Sequence, residues 1–248
     1  MREAEIVARL RAAGCVFAEE EAALLVGEGR ADLENMVHRR VEGEPLEYVL
    51  GWAAFAGIRV VVDPGVFVPR HRTELLVDEA LKLCTPASVV VDLCCGAGAI
   101  GAAMLDRMPR LTLYAADVDP AAVATARRNL PPERVLLGDL FDALPGDLRG
   151  RLDVLAVNTP YVPTAEIALL PPEARDHEHR VALDGGADGL DVQRRVAAAA
   201  GLWLVPGGSV LVEASERQAA VSAALFEAAG LAARIVEDDD ACVVIATA

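Results

Sequence analysis

The chain has 248 residues, enough for one sizeable domain and a small one, and its 54% apolar and 25% charged side chains are the balance of an ordered globular protein. Its 38 acidic residues against 23 basic ones give a formal charge of -15, which argues against nonspecific binding to duplex DNA, where long basic surfaces neutralise phosphates. The opening Met1-Arg2-Glu3-Ala4-Glu5 lacks the layout of a signal peptide, and no apolar run approaches the roughly 18 to 20 residues that cross a bilayer, so a cytoplasmic protein without a membrane partner is expected.

Residues 2 to 42 carry three short helical periodicities, marked by Ile6, Leu10 and Ala13, by Ala22, Leu25 and Val26, and by Leu33, Met36, Val37 and Val41. Breaks fall near Gly14 and at Gly27-Glu28-Gly29. With no nucleophile pair of its own, this unit, residues 1 to 45, reads as a docking or substrate-recognition module. Gly43 to Trp52 and Phe55 to Val62 read as two beta-rich runs about a glycine-containing turn, a hairpin linker over residues 46 to 66. The run Val66 to Glu74 then leads into a helix over Leu75 to Leu83 that Thr73 would cap. Arg70 and Arg72 sit in that run, where a loop would cover a ligand.

From Val89 the pattern alternates strand and helix over the rest of residues 67 to 248. Strands are expected at Val89 to Leu93, Leu111 to Asp117, Arg134 to Leu137, Val154 to Asn158, Ser209 to Glu213, Ala232 to Val236 and Cys242 to Ala246. Helices are expected from near Gly98 and Pro120, and over Gly189 to Trp203 and Ser215 to Ala229. This rhythm predicts an α/β fold with a doubly wound sheet, whose ligands lie at the carboxyl ends of the strands.

Four stretches at those strand ends carry candidate chemistry. The first is Asp92-Leu93-Cys94-Cys95-Gly96-Ala97-Gly98-Ala99-Ile100-Gly101, an acid and a glycine-dense turn opening a helix. Its G-x-G-x-x-G is shared by dinucleotide and S-adenosyl-L-methionine enzymes. The carboxylate of Asp92 would repel a pyrophosphate and attract a methionine ammonium, which favours the second. Asp117, with Val118 beside it, lies about 20 residues after the turn, the offset of an acid that accepts from ribose hydroxyls, while Asp119 before Pro120 fills the role of a helix cap. Asp139 and Leu140 follow the third strand, where they would meet an adenine amino group and ring.

The fourth stretch is Asn158-Thr159-Pro160-Tyr161. An amide nitrogen is a poor nucleophile because its lone pair is shared with the carbonyl, so a catalyst must orient it. The Asn158 side-chain oxygen and the Thr159 carbonyl are two acceptors for its two N–H groups, and Tyr161 would pack on the acceptor. Orientation of this kind is worth up to about 7 to 11 kcal/mol of barrier. His177 and His179 lie downstream in a long Pro-, Gly- and acid-rich segment, Val162 to Asp191, but such a reaction needs no histidine base. The five cysteines, Cys15, Cys84, Cys94, Cys95 and Cys242, lack metal-ligand spacing and read as reduced thiols, with no metal site.

Taken together, the run Gly43 to Glu74, the glycine turn, Asp117 and the tetrad Asn158 to Tyr161 resemble the bacterial HemK/PrmC family of protein-(glutamine-N5) methyltransferases, which modify the GGQ glutamine of peptide chain release factors. The resemblance implies a seven-stranded, Rossmann-like class I methyltransferase fold with a small N-terminal helical domain. It implies S-adenosyl-L-methionine as methyl donor, S-adenosyl-L-homocysteine as product, and a protein substrate such as a release factor. Cofactor contacts would fall on Cys94 to Gly98, Asp117, Leu140 and Asn158, and acceptor binding on Asn158 to Tyr161. The chain departs from the family pattern at Thr159, where the family usually has proline, at Cys94, where it has glycine, and at His71 and His179, where it has prolines. Other readings left open are an N-methyltransferase for a small molecule or DNA adenine, a binding protein for the same cofactor without transfer activity, and a nicotinamide oxidoreductase.

Overall fold

The computed structural model describes all 248 residues. Its first helices, α1 (Glu3–Ala12), α2 (Ala18–Gly27) and α3 (Leu33–Val41), bury Ile6, Leu10, Ala22, Leu25, Met36 and Val37 against one another, as their spacing predicts. Ala13 and Val26, expected on those faces, are exposed.

The next segment departs from its sequence reading. Leu46–Leu50 is a short helix, α4, rather than a strand. Pro45, with φ -51°, can open a helix because it needs no N–H there. Leu46, Val49 and Leu50 then pack on the helical unit at helical spacing, and Gly51 ends the turn at φ 84°. The antiparallel hairpin is therefore confined to β1 (Trp52–Phe55) and β2 (Ile58–Val61). Its Ala53, Phe55 and Val60 pack in the core of the larger domain. Asn129 fastens it there, accepting from Val61 N at 2.9 Å and donating to the Val61 and Ala97 carbonyls at 2.9 and 2.8 Å.

The larger domain runs through α5 (Glu74–Leu83), β3 (Val89–Leu93), α6 (Ala99–Arg107), β4 (Thr112–Asp117), α7 (Pro120–Asn129), β5 (Val135–Leu137), β6 (Leu152–Val157), α8 (Pro172–His177), α9 (Asp191–Ala200), β7 (Leu204–Glu213), α10 (Glu216–Ala228), β8 (Ala232–Asp238) and β9 (Ala241–Thr247). The seven-stranded sheet has the order β5-β4-β3-β6-β7-β9-β8. Its first five strands are parallel, and β9 runs antiparallel to both its neighbours. Period-two alternation sends Val90, Ala115, Val154 and Leu211 into the core on one face and Val91, Leu93, Leu155 and Val210 into the core on the other. The chain leaves β3 toward β4 and β5, then crosses back to β6 on the other side. That reversal opens a crevice above the carboxyl ends of β3 and β6.

Thr73 does not cap α5. It ends a 3-10 turn with helical backbone angles, φ -69° and ψ -13°, and makes no side-chain cap bond; its hydroxyl is spent on Glu213, at the end of β7. No helix is long and apolar enough to cross a membrane, and all five cysteines are free.

Candidate active site

A cavity of about 640 Å³ occupies the crevice, within the size range of small-molecule sites. Its floor is the turn after β3. Cys94, Gly96 and Gly98 all have positive φ there, at 58°, 53° and 77°. Cys94 thus holds a left-handed conformation that favours glycine, which gives a physical reason for the family glycine at that position. A Cβ at Gly98 would lie 2.7 Å from Leu130 Cδ1, so this residue closes the packing between turn and helix. Burial pushes the Cys94 and Cys95 thiols well up, so neither is a thiolate nucleophile.

Asp92 lies beneath this turn rather than on the cavity wall. It is fully buried, and its Oδ2 accepts from Gly101 N at 2.9 Å. Its Oδ1 has no partner, and burial pushes its carboxyl up to about 8. The expected direct contact of Asp92 with a ligand, and that of Gly98, are therefore not part of the wall that the fold builds. Both hold the turn from behind.

The remaining predicted residues converge. Cys94, Cys95, Gly96, Ala97, Asp117, Val118, Asp139, Leu140 and the tetrad Asn158 to Tyr161 all border the one cavity. Asp117 ends β4 and accepts from the N–H groups of Gly96 and Asp119, each at 2.9 Å; burial raises its carboxyl. Asp119 caps α7 through Ala121 N at 2.9 Å, as its place before Pro120 predicts. Asp139 pairs with Arg195 at 2.8 Å. Leu140, beside it, is held at φ 49°, a second strained residue on the wall.

Thr159 is 2% exposed, and its Oγ1 has no partner. Neither His177 nor His179 borders the cavity. The His179 ring bonds Asp119 Oδ2 at 2.6 Å, and the His179 backbone N–H donates to the Gly65 carbonyl.

Several site residues escaped the sequence reading. Glu213, the last residue of β7, is 2% exposed and gathers Arg72 Nε at 3.1 Å, Tyr161 Oη at 3.3 Å, Asn158 Nδ2 at 3.4 Å and the Thr73 hydroxyl. Its signal was present in the sequence: like Asp92, Asp117 and Asn158, it is polar and stands at or next to the carboxyl end of an apolar strand. The segment Val162 to Asp191 supplies the far wall. Glu178 lies there, buried, with Oε1 accepting from Val68 N at 3.2 Å and Arg70 at 2.5 Å.

A doubly wound sheet with a reversed terminal hairpin, a glycine turn after β3, an acid ending β4 and a cavity over them defines a Rossmann-like methyltransferase of class I. A methyltransferase from Pyrococcus furiosus superposes with a TM-score of 0.58 over 77% of this chain and 89% of its own, at 17% identity, which is a likeness of fold. The family model for the methyltransferase small domain matches residues 57–168. A release factor glutamine methyltransferase from Geobacter sulfurreducens is 41% identical over 204 residues, 81% of this chain and 71% of that protein. A 4-amino-L-phenylalanine/4-methylamino-L-phenylalanine methyltransferase from Streptomyces pristinaespiralis is 36% identical over 79% of this chain and 70% of its own. The chain belongs to the release factor glutamine methyltransferase family.

Proposed function

We propose that the protein transfers a methyl group from S-adenosyl-L-methionine to the side-chain amide nitrogen of a glutamine in a peptide chain release factor. The observation that carries this reading is the placement of Asn158 to Tyr161 on the same cavity as the glycine turn and Asp117. A family relative named for release factor glutamine methylation supports the acceptor.

The residues present fit the donor. The wall beside the turn offers the carboxylates of Asp117 and Asp119, while Asp139 is paired with Arg195 and the other arginines on the wall, Arg70 and Arg72, are paired with Glu178 and Glu213. Such a wall suits hydroxyl donors and positive charge and repels a pyrophosphate. Asp117 would take ribose hydroxyls, while Leu140 and Val118 would pack on the base. Bound S-adenosyl-L-methionine supplies a methyl carbon on a sulfonium and leaves as S-adenosyl-L-homocysteine.

The protein's own part is orientation. The Asn158 Oδ1 and the Thr159 carbonyl would accept from the two amide N–H groups and aim the nitrogen lone pair. The new N–C bond forms as the C–S bond breaks, and the nitrogen then gives its extra proton to water. Tyr161 is a poor base for that proton, since burial and Glu213 push its hydroxyl up to about 12, and it is engaged by Arg72 and Glu213. Residues 1 to 45 would recognise the protein acceptor, next to the wall segment Val162 to Asp191.

Labelled S-adenosyl-L-methionine incubated with a release factor should label the GGQ glutamine, and Asn158→Ala should lower that rate by about 10²- to 10³-fold. Label on no release factor would overturn the acceptor. The Streptomyces relative supports an aromatic primary amine as the second reading. The same reaction with 4-amino-L-phenylalanine separates the two.

A further inference from the structure

The geometry points to Glu213 as the positioning residue that decides which end of the Asn158 amide faces the methyl acceptor. This rests on the N-methyl transfer reading and adds the device that makes the site selective for nitrogen donors.

A carboxylate accepts on both oxygens and donates on neither. Arg72 Nε at 3.1 Å and Tyr161 Oη at 3.3 Å serve Glu213 Oε1. The Thr73 hydroxyl and Asn158 Nδ2 serve Oε2. Because the single Thr73 proton goes to Oε2, Thr73 turns only lone pairs toward Asn158, whose Nδ2 lies 3.4 Å from Thr73 Oγ1 and 3.4 Å from Glu213 Oε2.

Both neighbours on that side of the amide are acceptors, so a flipped Asn158 would set its oxygen against two others. The amide is held with NH₂ toward Glu213 and Oδ1 toward the cavity. Tyr161 is held as well: its hydroxyl donates to Glu213 and accepts from Arg72. The acceptor therefore meets hydrogen-bond acceptors here, the Asn158 Oδ1 and a backbone carbonyl, and the site selects a nitrogen carrying two N–H groups over a hydroxyl. Asn158 touches the acceptor, whereas Glu213 acts through it.

Glu213→Gln tests this without changing volume. Arg72 and Tyr161 keep the Gln oxygen on their side, so its NH₂ replaces Oε2 and Asn158 turns its own oxygen inward to meet it. The expected result is a kcat about 10- to 100-fold lower with the affinity for S-adenosyl-L-methionine unchanged within twofold. Asn158→Ala combined with Glu213→Gln should be no slower than Asn158→Ala alone, since the second change acts only through the first. Multiplying losses, or a weakened cofactor affinity, would overturn the assignment in favour of a purely structural role.

A second measurement does not depend on the acceptor. The side-chain ¹⁵N–¹H signals of Asn158, assigned by their loss in Asn158→Ala, should move in Glu213→Gln, and unmoved signals would refute the proposal. Should wild type label neither a release factor nor an amine, the transfer reading falls, while the Asn158 signals still decide the role of Glu213.

Discussion

Arg40 Nη1 of α3 lies 2.6 Å from Glu173 Oε1 on the cavity wall, while its Nε and Nη2 hold Glu21 Oε2 and Oε1 at 2.6 and 3.0 Å. One guanidinium thus joins two helices of the N-terminal unit and ties them to the segment that would shape the acceptor site. Arg40 and Glu21 are 7% and 8% exposed, whereas the Glu173 side chain is 48% exposed. Arg40→Ala leaves a buried carboxylate unpaired and should cost about 3 to 5 kcal/mol. Glu173→Ala removes only a half-exposed partner and should cost less than about 1 kcal/mol. Urea unfolding of the two variants checks this, and equal losses would contradict it.

Asp92 makes stability depend on pH in an unusual direction. Unfolded, its carboxyl titrates near its ordinary value of about 3.9; folded, burial pushes it up to about 8. Between those values the native state keeps a proton that the unfolded chain has released. The contribution of this group is therefore complete below about pH 4 and lost as pH rises toward 8. Asp92→Asn does not titrate, so its unfolding free energy should gain on wild type by up to about 1.4 kcal/mol per pH unit between pH 5 and 8. Paired urea titrations at each pH read the difference directly, and a difference independent of pH would mean that Asp92 is ionised in the fold.

Thr159 stands where the family usually has proline, and neither its hydroxyl nor its N–H holds a partner that a proline would lose. Its Oγ1 is buried without a partner, and its N–H makes no backbone hydrogen bond. Thr159→Pro removes the unpaired hydroxyl and stiffens the unfolded chain, which together should add about 0.5 to 2 kcal/mol. Differential scanning calorimetry should show Tm rising by a few degrees, roughly 2 to 4 °C per kcal/mol at this size. A lower Tm would show that the hydroxyl or the N–H is used after all.

Asp117 and Asp119 are two residues apart and have different work. Asp117 faces the cavity and holds the turn through Gly96, so Asp117→Ala should weaken S-adenosyl-L-methionine binding by roughly 10- to 100-fold, the loss of a hydrogen bond to a charged group. Asp119→Ala should instead cost about 1 kcal/mol of stability through the lost cap on α7. Calorimetric titration of the first and thermal unfolding of the second separate the roles. Full cofactor affinity in Asp117→Ala would remove that residue from the site.

Much of this site was legible in the chain because its signals are local. Apolar runs of a few residues followed by Asp92, Asp117 and Asn158 mark strands and their carboxyl ends, and Asp119 before Pro120 marks a helix start. Leu46–Leu50 misled for a local reason too: five residues with tyrosine and valine suit either a strand or a helical turn, and packing on the N-terminal helices decided between them. Thr73 looked like a cap, yet the carboxylate of Glu213 competes for the same hydroxyl and wins it.

The sequence by itself determined the alternating sheet, the glycine turn after β3 and the tetrad that follows β6, because periodicity and turn chemistry act over a few neighbouring residues. Only the tertiary structure decided that Asn158 meets Glu213, 55 residues away, and that Glu213 meets Thr73, 140 residues away. Such contacts depend on the order in which parallel strands are laid side by side, which no short stretch of sequence encodes.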